Sequence, residues 1–140
     1  MGTIQSGLAF TVSGGAGRPN RIRNGQTPPG GHSVAEWFDS SCFVLPATVA
    51  DPVHGGVYIP FGNSGANVLT GPEIVNFDLS AFKTFAVTES KRVEFRSEWF
   101  NAANHPQFQN PSSAINTGTT GRILNAPPSR QIQMALKFIF

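Results

Sequence analysis

Apolar and polar residues alternate with a period of two in four stretches of this chain, the pattern that places successive side chains on opposite faces of a β-strand. In Ser6–Ser13, Leu8, Phe10 and Val12 oppose Ala9 and Thr11. In Val75–Phe85, Val75, Phe77, Leu79, Ala81 and Phe85 oppose Asn76, Asp78, Ser80 and Thr84, with Phe82 and Lys83 as exceptions near one end. Arg92–Phe100 is the sharpest: Val93, Phe95 and Trp99 alternate with Arg92, Glu94, Arg96 and Glu98. Gln131–Phe140 sets Ile132, Met134, Leu136, Phe138 and Phe140 against Gln131, Gln133 and Lys137. A helix over Glu89–Ala102 competes for the third stretch, because Phe95 and Trp99 are spaced i,i+4. The count of period-two matches and the neighbouring strands favour a strand there.

The spacing of the four strands is equally informative. Only Ala86–Lys91 (AVTESK) separates the second from the third, a hairpin-sized link. Residues 14–74 and 101–128, by contrast, form two long connections rich in Gly, Pro, Asn and Ser. Compact soluble domains rarely contain structureless loops of that length, whereas transmembrane barrels pair short periplasmic turns with long extracellular loops. If Phe140 ends on the periplasmic side, the strands alternate so that AVTESK is periplasmic and both long loops lie outside. The expected fold is therefore all-β: antiparallel strands of a transmembrane β-barrel, about four of them, with two long loops.

Within a bilayer every backbone polar group must be paired internally, so apolar side chains face lipid and polar ones face the lumen. Arg92, Glu94, Arg96 and Glu98 are the expected lumen-facing row, about 7 Å apart along the strand and able to pair with charges on neighbouring strands. The solvent face of an ordinary antiparallel sheet would show the same pattern. The last strand carries five outward apolar residues, near the length that a tilted spanning strand needs. Phe138 and Phe140, with Phe82 and Phe85, are expected to form an aromatic girdle at one interface; Trp99 and Phe100 mark the other. Lys83 lies on the outward face near a strand end, where it can snorkel to lipid headgroups.

Composition narrows the alternatives. Charged residues make up 13%, against roughly 25% in an average soluble protein. The net charge of +2 is scattered without runs of one sign, so no polyanion or nucleic-acid partner is indicated. No stretch approaches the ~18 apolar residues of a spanning helix. Met1–Ser6 (MGTIQS) lacks signal-peptide character, so either the chain stays in the cytoplasm or its true beginning lies upstream.

Candidate chemistry is sparse. The single cysteine, Cys42, cannot form an internal disulfide and reads as an unreactive residue in an apolar patch. His32, His54 and His105 lack metal-ligand spacing and read as loop histidines. Glu94 and Glu98 share a face but lie roughly 13 Å apart, too far for a glycosidase pair. Gly14–Gly17 lacks the Lys-Ser/Thr of a phosphate loop and reads as a flexible loop. No catalytic residue, cofactor or metal is expected, and the chain is not expected to be an enzyme.

Several stretches resemble one family. They are QSGLAFTVSGG (Gln5–Gly15), GRPNRI (Gly17–Ile22), EWFDSSCFV (Glu36–Val44), FGNSGANVLTGPEIVNFDLSAFKTF (Phe61–Phe85), RVEFRSEWFNAANHPQFQNP (Arg92–Pro111) and SRQIQMALKFIF (Ser129–Phe140). In this order they are similar to the C-terminal barrel of TonB-dependent receptors of the Oar-like kind, which have a carboxypeptidase-regulatory-like domain ahead of the plug. In the resemblance His105 belongs to a turn, Asn104-His105-Pro106. The resemblance implies an outer-membrane location and nutrient uptake driven by TonB through a plug. It also implies that the last strand, with Met134, Leu136, Phe138 and Phe140, is the signal for the barrel-assembly machinery. Implied partners are outer-membrane lipid, that machinery, the rest of the barrel and plug, and TonB through the plug. Lacking a plug, a TonB-contacting segment and most of the strands, the chain reads as a receptor fragment that does not transport alone. The rival reading is a soluble antiparallel β-sandwich that binds a ligand with its long loops and buries the apolar faces against each other.

Overall fold

The computed structural model describes residues 1–14 and 17–140. Its strands are β1 (Gly2–Gln5), β2 (Ala9–Phe10), β3 (Asn20–Arg21), β4 (Phe43–Val44), β5 (Val49–Ala50), β6 (Val57–Tyr58), β7 (Leu69–Thr70), β8 (Ile74–Phe77), β9 (Leu79–Ala86), β10 (Arg92–Phe100) and β11 (Gln131–Ile139). Among the described residues one 3-10 turn, Ser40–Cys42, precedes β4, and the pairings between these strands are antiparallel, with one isolated parallel bridge between Ser13 and Ala114. The expected all-β, antiparallel class is the observed one.

The chain divides into two compact units. The first comprises Met1–Gln5, Glu73–Gln107 and Pro127–Phe140. Its centre is a meander in the order β11-β10-β9, with β1 and β8 paired beside each other as a separate ladder. Strand β10 occupies the residues expected of it, which settles the competition with a helix. The turn from β9 to β10 is held by the Val87 and Thr88 amides, which donate to the Lys91 carbonyl at 2.9 and 3.2 Å, and by the Lys91 amide, which donates to the Thr88 hydroxyl. The expected strand Val75–Phe85 is instead two strands, broken at Asp78. Asp is a poor strand former. Here its carboxylate accepts the backbone amide of Asn101 at 3.0 Å, while the Phe77 carbonyl accepts that of Ala102. The chain leaving β10 is thus tied to the break.

The second unit comprises Ser6–Pro72 and Phe108–Ala126. Its core is Phe10, Val12, Phe38, Cys42, Phe43, Leu69 and Ile115, with Leu45 and Val68 packed against it. Phe38 is wholly buried, tilted against Phe10 (ring centroids 5.7 Å) and edge-on to Phe43 (5.8 Å), geometries that suit the ring quadrupoles. Backbone bonds tie distant segments together: Trp37 N–H to the Gly121 carbonyl, Gly121 N–H to that of Ser112, and Ile123 N–H to that of Val34.

This unit corrects two expectations. Ser6–Ser13 is not one amphipathic strand; Ala9–Phe10 pairs with Leu69–Thr70 and Ser13 bridges separately to Ala114, while Leu8 is exposed and Phe10 and Val12 are buried. Close backbone approach dictates the local path. A Cβ on Gly7 would overlap the Gly71 carbonyl, so only glycine fits there. Residues 14–74, expected as a long loop, contain the short paired strands β3 to β7 and supply Phe38, Cys42, Phe43 and Leu69 to the core, whereas 101–128 holds no strand, as expected, but adds Ile115 to that core. In the glycine stretch, Gly14 and Gly17 exchange backbone hydrogen bonds at 3.0 and 3.2 Å. Gly15 and Ala16 lie outside the described residues, as does the flexible-loop expectation for them.

Candidate functional site

The chemistry-bearing surface is the β9-β10-β11 sheet, where register decides which side chains share a face. Residues directly opposite in an antiparallel pair project to the same side. From the short turn outward, one face carries four rows: Phe85-Val93-Phe138, Lys83-Phe95-Leu136, Ala81-Ser97-Met134 and Leu79-Trp99-Ile132. The other carries Ala86-Arg92-Ile139, Thr84-Glu94-Lys137, Phe82-Arg96-Ala135 and Ser80-Glu98-Gln133, followed by Phe100-Gln131. The first face is apolar except for Lys83 and Ser97; the second holds the remaining charges of these strands.

The apolar face is uncovered. Leu79 is 59% exposed, Met134 67%, Leu136 57% and Phe138 58%. In water this leaves large adjoining side chains wet, at roughly 25 cal/mol for each Å² of apolar surface that could be buried. The arrangement suits an apolar surrounding. Ser97 is an instructive exception, only 5% exposed in the middle of that face. Its hydroxyl accepts the Trp99 indole N–H at 2.6 Å, so neither polar atom is left without a partner.

Arg92, Glu94, Arg96 and Glu98 lie together on the polar face, as their spacing requires. Their ion pair runs along β10, Arg96 to Glu98 at 2.6 Å, rather than across to a neighbouring strand. Both residues reach water, so the pair contributes at most about 1 kcal/mol. Met134, Leu136 and Phe138 lie together on the apolar face, and Phe140 follows the end of β11. The expected girdles need correction. Phe82 and Phe100 fall on the charged face, because strict alternation puts them one residue out of phase with Lys83 and Trp99. Phe85 and Phe138 are left as the aromatic pair near the short turn, with Trp99 towards the opposite end.

At that opposite end, Asn76, Asp78, Phe100, Asn101, Gln107 and Gln131 line a polar cleft of about 260 Å³. The motif FNAANHP builds it. Asn101 (φ 49°) and Asn104 (φ 52°) adopt left-handed backbone, which Asn tolerates better than most residues. The Asn101 amide donates to the His105 carbonyl at 3.0 Å and accepts the His105 N–H at 3.1 Å. Asn104 accepts the Arg130 N–H, which fixes the approach to β11. The motif therefore clamps a chain reversal, and His105 acts there through its backbone.

In the second unit Cys42 is buried in the core, its thiol donating to Asp39 at 3.2 Å. Burial, followed by the Asp39 carboxylate, pushes its pKa up, which keeps it a poor nucleophile. Asp39 is held below the ordinary aspartate range, chiefly by the Ser41 hydroxyl, which donates to it at 2.6 Å. His32 stacks on Trp37, and His54 faces Asp51 in an exposed turn. Among the described residues no three His, Cys, Asp or Glu groups could hold a metal ion, and no helix is long and apolar enough to cross a membrane.

Sequence reasoning missed Ser97, which breaks the apolar pattern of β10, and Asn101 with Asn104. The Asn-rich NAAN run was the available signal for the last two.

A family model described as outer membrane beta barrel domain matches residues 1–133. No curated protein and no solved structure matches the chain.

Proposed function

This chain belongs to the outer membrane beta barrel domain family, and on that premise we propose that it forms C-terminal wall strands of a TonB-dependent receptor for nutrient uptake. It is an outer-membrane protein. The observation that carries the reading is the two-faced sheet: one face apolar and bare, the other lined by Arg92, Glu94, Arg96, Glu98 and Lys137. A β-sandwich would cover the first face with a second sheet about 10 Å away. A barrel wall leaves that face to lipid and turns the other to a wet interior.

The sheet's three strands are fewer than the roughly eight of the smallest closed barrels, so they contribute to a wall that further strands complete. In this proposal the partners are lipid, the remaining barrel with its plug, TonB acting through the plug, and assembly machinery that reads Met134, Leu136, Phe138 and Phe140. The role is non-catalytic, and it uses no cofactor.

The test compares cells lacking this barrel segment with cells lacking TonB, across growth media each limiting in one nutrient. The expected result is a growth defect on one nutrient shared by both strains and not deepened in the double mutant. A segment-deletion defect that persists unchanged, additive to loss of TonB, would sink the coupling while leaving the barrel assignment intact.

A further inference from the structure

We infer that the apolar face carries a seat for one anionic phospholipid, with an acyl chain lying over Ala81 and Ser97 and the phosphate held by Lys83. The inference rests on the membrane-facing reading above and adds a ligand to it. Across most of this face large side chains stand side by side. The row Ala81-Ser97-Met134 is different, because two small residues adjoin on neighbouring strands. They floor a depression of about 530 Å³ bordered by Leu79, Phe95, Trp99 and Met134. The Ser97 hydroxyl is already engaged by the Trp99 indole, so the floor offers an acyl chain a surface with its polar groups satisfied.

Lys83 supplies the charge complementarity. It is the only charged residue on this face of the three strands, and Glu94 and Glu98 project to the other side. It lies three residues from the end of β9 at Ala86, about 8 Å inside the apolar band for a strand tilted by ~40°. An ammonium group at that depth can snorkel towards the headgroups, and a phosphate is the anion available there. The order along the face also fits a lipid. Starting at the short turn, it reads cation, then small-residue floor, then the indole of Trp99, as a headgroup followed by its chain would need.

Trp99 reports directly on the seat. The complete barrel that contains this chain is reconstituted in phosphatidylcholine vesicles containing equal small fractions of either brominated phosphatidylglycerol or brominated phosphatidylcholine. Quenching is read as the difference between wild type and Trp99→Phe, which removes the signal of every other tryptophan. One lysine near an anionic lipid surface should enrich the anionic lipid about fivefold, so brominated phosphatidylglycerol should quench Trp99 correspondingly more strongly. Lys83→Gln should abolish that preference and Lys83→Arg retain it. Ala81→Leu should weaken quenching by both lipids, with Ala135→Leu on the opposite face as the control for folding.

Equal quenching by the two lipids in wild type, or a preference that survives Lys83→Gln, overturns the proposal. So does quenching unchanged by Ala81→Leu. Absence of quenching by either lipid in folded protein overturns the membrane-facing reading as well, so the two failures are distinguishable.

Discussion

Arginine at position 134 should separate a lipid-facing sheet from a soluble one. Met134 lies five residues from the end of β11 at Ile139, about 17 Å along the strand at ~3.4 Å per residue. A tilt of ~40° makes this about 13 Å along the membrane normal, half the ~25 Å apolar band. Met134→Arg therefore places a guanidinium near the midplane, at a cost of about 2–4 kcal/mol, or roughly 30- to 900-fold in the folding equilibrium. Gln133→Arg adds the same side chain one residue away, on the face where Gln133 lies opposite Glu98, and should stay within about 0.5 kcal/mol. In water the contrast vanishes, because Met134 is 67% exposed and an arginine there loses little packing. The assay is urea unfolding of the vesicle-reconstituted complete barrel that contains this chain, followed by Trp99 fluorescence taken as the difference from Trp99→Phe, with the midpoints of the two variants compared at a common slope. Equal midpoints would refute the assignment of faces. Cooperative unfolding of the β9-β10-β11 sheet of Met134→Arg in plain buffer, read from the Trp99 signal and not from Trp37 in the separately cored second unit, would refute the membrane reading itself.

Three further outcomes are expected in the second unit. Phe38→Ala should cost about 3–5 kcal/mol by emptying the centre of the core, seen as faster amide exchange at Trp37 and Ile123 with little change in β10. Cys42 should resist iodoacetamide at neutral pH in the folded chain and react after denaturation, because burial and the Asp39 carboxylate both oppose the thiolate; rapid labelling of native protein would contradict this. The depressed pKa of Asp39 makes its ionised form stabilising above the unfolded value of ~3.9, and that contribution is lost as pH falls through the folded pKa. Acid titration of the native chain should therefore loosen the Asp39–Cys42 turn below about pH 4, and Asp39→Asn should remove that pH dependence.

The parts of the fold legible in the sequence are those whose physics is periodic. Strand β10 runs from Arg92 to Phe100 as its alternation indicates, and β11 begins at Gln131. Both are nine residues of a sheet with one face for each solvent, so every second residue reports its side. The break at Asp78 was hidden because its carboxylate accepts a hydrogen bond from the backbone amide of Asn101, a residue beyond the next two strands. The second unit was illegible for a related reason. Its core draws on Phe10, Phe38, Phe43, Leu69 and Ile115, positions separated by no fixed interval, so a local window sees scattered apolar residues among Gly and Pro. Burial there is specified by tertiary contacts, to which a period-two or 3.6 template is blind.

The two units thus use apolar residues in opposite senses. Phe38 is fully enclosed and gains its stability from neighbours within the chain. Phe138, of the same residue type, stands 58% exposed on a face that the sheet leaves uncovered. Composition does not distinguish these roles; patterning does. The strands put apolar residues at all positions of one face but Lys83 and Ser97, and their other charged residues on the opposite face, which commits the first face to an apolar surrounding. The second unit places its large residues aperiodically, each needed at one point of a closed core. The Lys83 position shows how strict the first code is. A single charge on the apolar face, bordered by Phe85 and Phe95 and without a carboxylate on that face of the three strands, departs from the pattern. Its depth and its place beside the small-residue floor make an external phosphate the partner that accounts for it.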